Sequence, residues 1–224
     1  MSSVKFPLAT ASWGQEELDA IQRVVDSGMF TMGDNVLAFE KAFAQYVGSQ
    51  HCVMVNSGSS ANLLMVAALF YTQNPKLKLQ RGDEVIVPAV SWSTTYYPLY
   101  QYGLKIKFVD IDLHTLNYDL DQLEAAVSDK TRTIMAVNLL GNPNDFDRIT
   151  SIIGGRNIVL MEDNCESMGA TFRGKQTGTF GAMGTFSSFF SHHISTMEGG
   201  MIVTDDEELY QILLSLRAHG WTRN

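Results

Sequence analysis

From Cys52 onward the chain alternates short apolar runs with longer mixed stretches. Cys52–Val55, Glu84–Val87, Ile106–Val109, Thr133–Val137, Asn157–Met161 and Met201–Val203 read as short buried strands, the second stopped by Pro88. Ala61–Tyr71, Asp119–Val127 and Asp206–Arg217 carry helical patterns between or after them. Two helices precede this region. The first, Trp13–Ser27, puts Leu18, Ile21 and Val25 on one face and stops at Gly28. The second follows the Thr31–Asp34 turn, and Val36, Phe39, Phe43 and Tyr46 form its expected buried stripe, with Gly48 at its end. Pattern alone favours core packing for that aromatic stripe. Strands that alternate with helices predict an α/β fold built on a doubly wound, mostly parallel sheet.

The stretch Gly184–Gly200 carries the densest chemistry. Phe186, Phe189 and Phe190 are strand material, and a polar turn with His192 and His193 follows, then Glu198 and the pair Gly199-Gly200. Reactive groups at the carboxyl end of a strand lie where open α/β sheets bind ligands.

Bulk properties narrow the partners. The 224 residues carry a net charge of −8, which argues against a nucleic-acid binder and leaves a small anion held by local donors open. Cys52 and Cys165 are the only cysteines, too few for a disulfide framework or a four-cysteine metal site. The first residues hold no apolar signal core and no run approaches membrane-spanning length. A bacterial-type cytoplasmic enzyme that binds no membrane is expected.

Four further segments could carry chemistry. Asn56–Asn62, with Gly58, Ser59 and Ser60 at its centre, follows a strand and opens a helix, so it reads as an anion site or as a simple N-cap. Trp92 lies just beyond a strand end, where an aromatic can belong to the core. Met161–Gly169 brings Glu162, Asp163 and Glu166 past an apolar strand, where a carboxylate can cap a helix or bind a metal; Cys165 between them reads as a small buried filler. Gly178–Gly184 lacks dinucleotide-binding spacing and reads as a tight loop into the final strand of the site. The two histidines in extended backbone would point opposite ways, which disfavours both on one metal.

Laid side by side, these segments resemble the DegT/DnrJ/EryC1/StrS sugar aminotransferases, enzymes that use pyridoxal phosphate. The family segment Ser-Phe-x-x-x-Lys-x-x-Thr-x-x-Glu-Gly-Gly matches at Ser187 and at Glu198-Gly199-Gly200. Ser188 and Ser195 depart from it, and His192 stands at the lysine position. No lysine follows Lys175, so no shift of register restores one. The likeness extends to Pro7-Leu8, Phe30–Gly33, Val87–Tyr97 and Asn138–Pro143.

The resemblance implies a fold type I pyridoxal-phosphate enzyme, aspartate aminotransferase-like. Residues 1–224 would hold an N-terminal segment and the large cofactor-binding domain, without the smaller C-terminal domain, as in a truncated chain or incomplete gene. By the same likeness Gly58, Ser59, Ser60 and Ser187 hold the cofactor phosphate and Trp92 stacks on the ring. Asp163 meets the ring nitrogen, and Glu166, where most aminotransferases of the family carry glutamine, lies near the ring hydroxyl. His219 is a candidate substrate contact. Histidine in place of lysine resembles the branch of 4-keto-6-deoxy sugar 3-dehydratases. That branch works from pyridoxamine phosphate without a covalent tether, with glutamate as amino donor and His192 as acid and base. A GDP-linked 4-keto-6-deoxy hexose would lose its C3 oxygen, with ammonia released, in a homodimer. A 4-aminotransferase, a CDP-sugar 3-dehydratase and an inactive cofactor-binding fragment are the alternatives.

Overall fold

The computed structural model of the chain describes residues 12–222. Pro7-Leu8 and the last two residues lie outside them. Nine strands and seven α-helices follow in chain order among the described residues. Helices α1 (Gln15–Ser27) and α2 (Asp34–Val47) lead into β1 (His51–Val55), α3 (Gly58–Tyr71) and β2 (Glu84–Pro88). Then come α4 (Ser93–Gln101), β3 (Lys105–Val109), α5 (Leu120–Ala126), β4 (Thr131–Val137), α6 (Phe146–Ile153) and β5 (Val159–Asp163). A small hairpin of β6 (Thr171–Phe172) and β7 (Lys175–Gln176) precedes β8 (Met183–Ser187), β9 (Gly200–Thr204) and α7 (Glu207–Arg217).

Seven strands form one sheet in the order β1-β9-β8-β5-β4-β2-β3. Strands β8, β5, β4, β2 and β3 pair in parallel, and β9 runs antiparallel to both β8 and β1. Two reversals restore the direction, so β1 runs with the majority and β9 alone opposes it. The expected mostly parallel α/β sheet is therefore present, and the start of β9 joins the carboxyl ends of its neighbours along one edge.

Alternation along the strands feeds two faces. Val53, Val55, Val85, Val87 and Met161 pack with Met65, Leu69 and Leu99 of α3 and α4 and with Leu209 and Leu213 of α7. Ile86, Ile134 and Leu160 point the other way, against Leu123 of α5 and Phe146, Ile149 and Ile152 of α6. Cys52, Phe186, Met201 and Val203 pack on Phe43, Ala44 and Val47 of α2. Helix α3 is apolar nearly all round because its neighbours enclose it: it packs on β8, β9, α4 and α7, and eight of its residues are buried.

Two expectations need correction, at Tyr46 and at Phe189-Phe190. Phe43 is buried as expected, but Tyr46 is 54% exposed; the stripe of α2 widens to one side, where Glu40, Ala44 and Val47 are buried with Phe43. Glu40 tolerates this because the Met54 amide donates to it (2.7 Å) and Arg217 of α7 pairs with it. The apolar face of α1 is real but uncovered in the single chain, where no residue of that helix is buried. Phe189 and Phe190 lie beyond β8 in a loop, and only Phe186 is strand core. Helices α4 and α6 and the β6–β7 hairpin are additions to the sequence reading; Pro98 masks α4, whereas α6 shows an Asp145 cap and Phe146, Ile149 and Ile152 on one face.

Candidate active site

The site assembles along the sheet edge where β1, β2, β5 and β8 end and β9 begins. Ser57 caps α3: its Oγ accepts the Ser60 N–H (3.0 Å) and donates to Ser60 Oγ (3.1 Å). The expected Ser57–Ser60 loop is thus the cap and first turn of the helix. Among the described residues, no acceptor is assigned to the N–H groups of Gly58 and Ser59, and the helix dipole adds positive potential there. Two glycines let this turn sit against the sheet. A Cβ on Gly200 would fall 2.2 Å from the Ser57 carbonyl oxygen. A Cβ on Gly58 would fall 2.8 Å from Ser187 Cβ and 2.9 Å from Cys165 Sγ. The Ser187 hydroxyl, at the end of β8, accepts the Phe189 N–H (3.2 Å), which leaves its proton for another acceptor.

Asp163 is the last residue of β5 and only 6% exposed. It caps no helix. Oδ2 accepts from Asn62 Nδ2 (2.8 Å) and from Thr95 Oγ1 (2.7 Å), and Oδ1 accepts the Cys165 amide (3.2 Å). The partners are themselves held. Thr185 Oγ1 donates to Asn62 Oδ1 (2.6 Å), and Ser91 Oγ and Thr95 Oγ1 share a hydrogen bond (2.7 Å). Cys165 is partly rather than fully buried, a departure from the buried-filler reading; desolvation and, secondarily, the Asp163 charge push its thiol well up, so it stays protonated.

Glu162 points to the other side of the strand and serves the loop. It is fully buried and accepts the N–H groups of Gly178 (2.6 Å), Phe180 (2.5 Å) and Gly181 (2.8 Å). Burial raises its carboxyl, and these backbone donors work against that rise. The glycine-rich segment is therefore tied to β5 before it enters β8.

His192 is half-buried on the loop after β8, where its N–H donates to the Phe189 carbonyl (2.9 Å). The backbone turns here, so the assumption of extended chain at His192-His193 does not hold. No cluster of three metal-ligating side chains occurs among the described residues. Burial lowers the His192 imidazole below its ordinary range; the Glu166 charge pulls it up, His193 pushes it down, and Asp163 pulls it up. His192 thus shares its electrostatic surroundings with both carboxylates. Glu166 Oε2 is buried without a hydrogen-bond partner among the described residues, an unmet acceptor. Lys175 lies on β7, where its Nζ donates to the Thr179 carbonyl (2.8 Å) and sits 4.7 Å above the Phe180 ring.

Trp92 is the N-cap residue of α4 and 70% exposed, which removes the core-aromatic alternative. His219 is exposed just past α7, with a left-handed backbone (φ 60). Its N–H closes a turn on the Leu216 carbonyl (3.4 Å), and no hydrogen bond joins it to the cluster. Sequence reasoning missed Asn62, Thr95 and Thr185, because single polar residues inside apolar elements carry no spacing signal.

Comparison with known proteins places this geometry. Residues 11–224 match the sequence profile of the DegT/DnrJ/EryC1/StrS aminotransferase family. The chain belongs to that family. It is 68% identical over 221 residues to a GDP-4-keto-6-deoxy-D-mannose 3-dehydratase of Yersinia pseudotuberculosis, covering 99% of this chain and 56% of the relative. A crystal structure of a GDP-4-keto-6-deoxymannose-3-dehydratase histidine-to-asparagine mutant with bound GDP-perosamine superposes with a TM-score of 0.95. That match is 66% identical and covers 98% of this chain and 56% of the other. A second structure of the same enzyme, with a trapped PLP–glutamate geminal diamine, gives a TM-score of 0.94 at 65% identity, over 97% and 56% of the two chains. Within the family, the fold is that of the fold type I pyridoxal-phosphate enzymes, with a mixed, mostly parallel sheet between helices. The chain spans about half the length of the curated relatives it matches (56%).

Proposed function

We propose that this chain supplies the cofactor-binding part of a homodimeric, cytoplasmic 3-dehydratase. Its substrate is a GDP-linked 4-keto-6-deoxy hexose, its cofactor pyridoxamine phosphate, its amino donor glutamate, and its products a 4-keto-3,6-dideoxy sugar and ammonia. The observation that carries the reading is His192, half-buried and within the fields of Glu166 and Asp163, at the position where the family's aminotransferases carry lysine. Homology to enzymes named for this reaction supports it.

The residues present suit a phosphorylated pyridine. The unspent Gly58 and Ser59 amides and the hydroxyls of Ser59, Ser60 and Ser187 form a donor set for a phosphate at a helix start. Asp163 Oδ1 has room for a cationic N–H. The buried, unpartnered Glu166 Oε2 suits a hydroxyl donor. Trp92 offers an exposed ring face at the same edge. When bound, pyridoxamine phosphate supplies an amine that can join a ketone and a ring that can accept the electrons of a broken C–H bond.

His192 does the proton work. Imidazole exchanges protons near neutral pH and forms no stable covalent link to the cofactor, so water rather than a lysine amine releases product. Its lowered proton affinity keeps it neutral, ready to take a proton, at pH 7. Once protonated, it can hand that proton to the departing C3 hydroxyl. Glu166 and Asp163 steady the imidazolium at that stage. The homodimer is supported by the exposed Trp92, Tyr97 and Tyr100 at and along α4 (70%, 60% and 74%), of which Tyr97 lines a hollow with Ser59 and Ser60. Among the described residues, no helix is long and apolar enough to cross a membrane.

The test supplies purified protein with pyridoxal phosphate, glutamate and GDP-4-keto-6-deoxy-D-mannose, and follows ammonia together with product mass. Ammonia with loss of one oxygen supports the reading. A 4-amino sugar that keeps its C3 oxygen replaces it with the aminotransferase.

A further inference from the structure

Asp163 is held more tightly than contact with a ring nitrogen requires, and the way it is held is asymmetric. A carboxylate has room for about four donors, two on each oxygen. Oδ2 is full, with Asn62 Nδ2 at 2.8 Å and Thr95 Oγ1 at 2.7 Å. Oδ1 has one amide at 3.2 Å, from Cys165, with only the weakly donating thiol of the same residue alongside. One oxygen is therefore spent on the protein and the other kept open.

The two donors have fixed orientations. Asn62 is 1% exposed; its Nδ2 faces Asp163 Oδ2 and the Thr94 carbonyl (3.3 Å), while its Oδ1 receives the Thr185 hydroxyl at 2.6 Å. A flipped amide would set its oxygen against a carboxylate and a carbonyl, so only one orientation works. Thr95 is fully buried, and a short bond to Ser91 occupies its other side. An apolar residue at position 62 would fit the helix better, since α3 is otherwise apolar around Asn62. Its amide is explained by what it touches.

We infer that Asn62 and Thr95 are positioning residues: they lock Asp163 Oδ2 and aim Oδ1 at the cofactor's ring nitrogen. Asn62 stands on the same helix whose first turn meets the phosphate, so α3 ties both ends of the ligand to one rigid element. This inference rests on the pyridoxamine phosphate reading above.

A binding experiment separates the two. Pyridoxamine phosphate is titrated into wild type, Asn62→Leu, Thr95→Val and Asp163→Asn, and into each of the first two combined with Asp163→Asn, with absorbance as readout and circular dichroism as a check on folding. Thr95→Val is nearly isosteric, so it stays informative if Asn62→Leu folds poorly. Each single change at 62 or 95 should weaken binding about tenfold, the scale of one hydrogen bond to a charged group. Both effects should fall to about twofold or less when Asp163 is already neutral, because nothing remains to aim. Thr95→Ser, which keeps the hydroxyl, should bind like wild type. Equal losses with and without the Asp163 carboxylate would overturn the inference and make both residues ordinary core supports. Failure of wild type to bind, or an Asp163→Asn protein that binds normally, would overturn the cofactor reading instead.

Discussion

The two halves of the site are built differently. Around Asp163 the side chains that fix Oδ2 are buried and bonded: Asn62, Thr95 and Thr185 are at most 1% exposed, and each donates or accepts a bond shorter than 3 Å. The loop that carries His192 is the opposite. His193, Ile194 and Thr196–Glu198 are exposed, and Met197 has a left-handed backbone. Bonds such as Trp13 Nε1 to the Ser195 carbonyl (3.1 Å) and Ser188 Oγ to Thr196 Oγ1 (2.6 Å) hold it in place. Asp163 and the groups that hold it come from a strand end, a strand interior and two helices, none of which can change without disturbing the core. The residue proposed for proton transfer sits on a segment that can be exchanged at little structural cost, which suits a family whose members differ in reaction on one scaffold.

The sharpest way to break this contrast is His192→Ala. If chemistry resides in the loop alone, dehydration should fall by about 10²–10⁴-fold, the usual worth of a general acid–base group. Binding of pyridoxamine phosphate should stay within a few-fold of wild type, as a cofactor titration would read. A matching loss of binding would merge the two halves into one unit. Next in size is Gly200→Ala, whose new methyl would meet the Ser57 carbonyl oxygen at 2.2 Å. Backbone must shift, and we expect a stability loss of about 1–3 kcal/mol or more in urea unfolding, with weakened binding of pyridoxamine phosphate. Unchanged stability would show that the phosphate turn is softer than its packing indicates.

Glu162→Gln tests the rigid half without touching the ligand. It replaces an acceptor of three backbone N–H groups by an amide that donates on one side. Chemical denaturation should show a loss of about 1–3 kcal/mol, with the pH profile of activity unmoved. The smallest effect belongs to Glu166→Gln. His192 titrates below its ordinary value of 6.5 because burial disfavours its charge, and Glu166 opposes that fall. The acid limb of the rate profile should therefore lie below pH 6.5 in wild type and move lower still in the variant. The shift should be under about one pH unit, because the histidine is only half-buried. A limb that moves upward would reverse the assigned role of Glu166.

How much of this was legible depended on what each residue does. The strands were readable because β-branched and apolar runs end at Pro88 or in acids, and the parallel sheet followed from their alternation with helices. The turn at Ser57–Ser60, Asp163 and His192 stood out because they sit at strand ends, where polar groups interrupt an apolar run. The residues that hold them stayed hidden. Asn62 lies inside the most apolar helix, Thr185 inside a buried strand, and Thr95 in a helix that Pro98 disguises. Their purpose is a partner about 100 positions away in the case of Asn62 and Asp163, and no periodicity reports a partner that distant. Tyr46 failed for a simpler reason. The buried face of α2 runs through 40, 43, 44 and 47, and a charged Glu40 in it reads as surface until Arg217 is seen beside it.

One feature of α3 sets a length. Ser57 caps its first turn and Asn62 reaches Asp163 five positions later, a rise of about 7.5 Å at 1.5 Å per residue. Helix spacing is among the least adjustable distances in a protein, so the edge of the sheet works as a gauge. On the pyridoxamine phosphate reading, a molecule must present an anion and a ring nitrogen at matching separation to satisfy both ends. A dephosphorylated vitamer would reach one end only, and mutations that resize the substrate pocket would leave that selection intact.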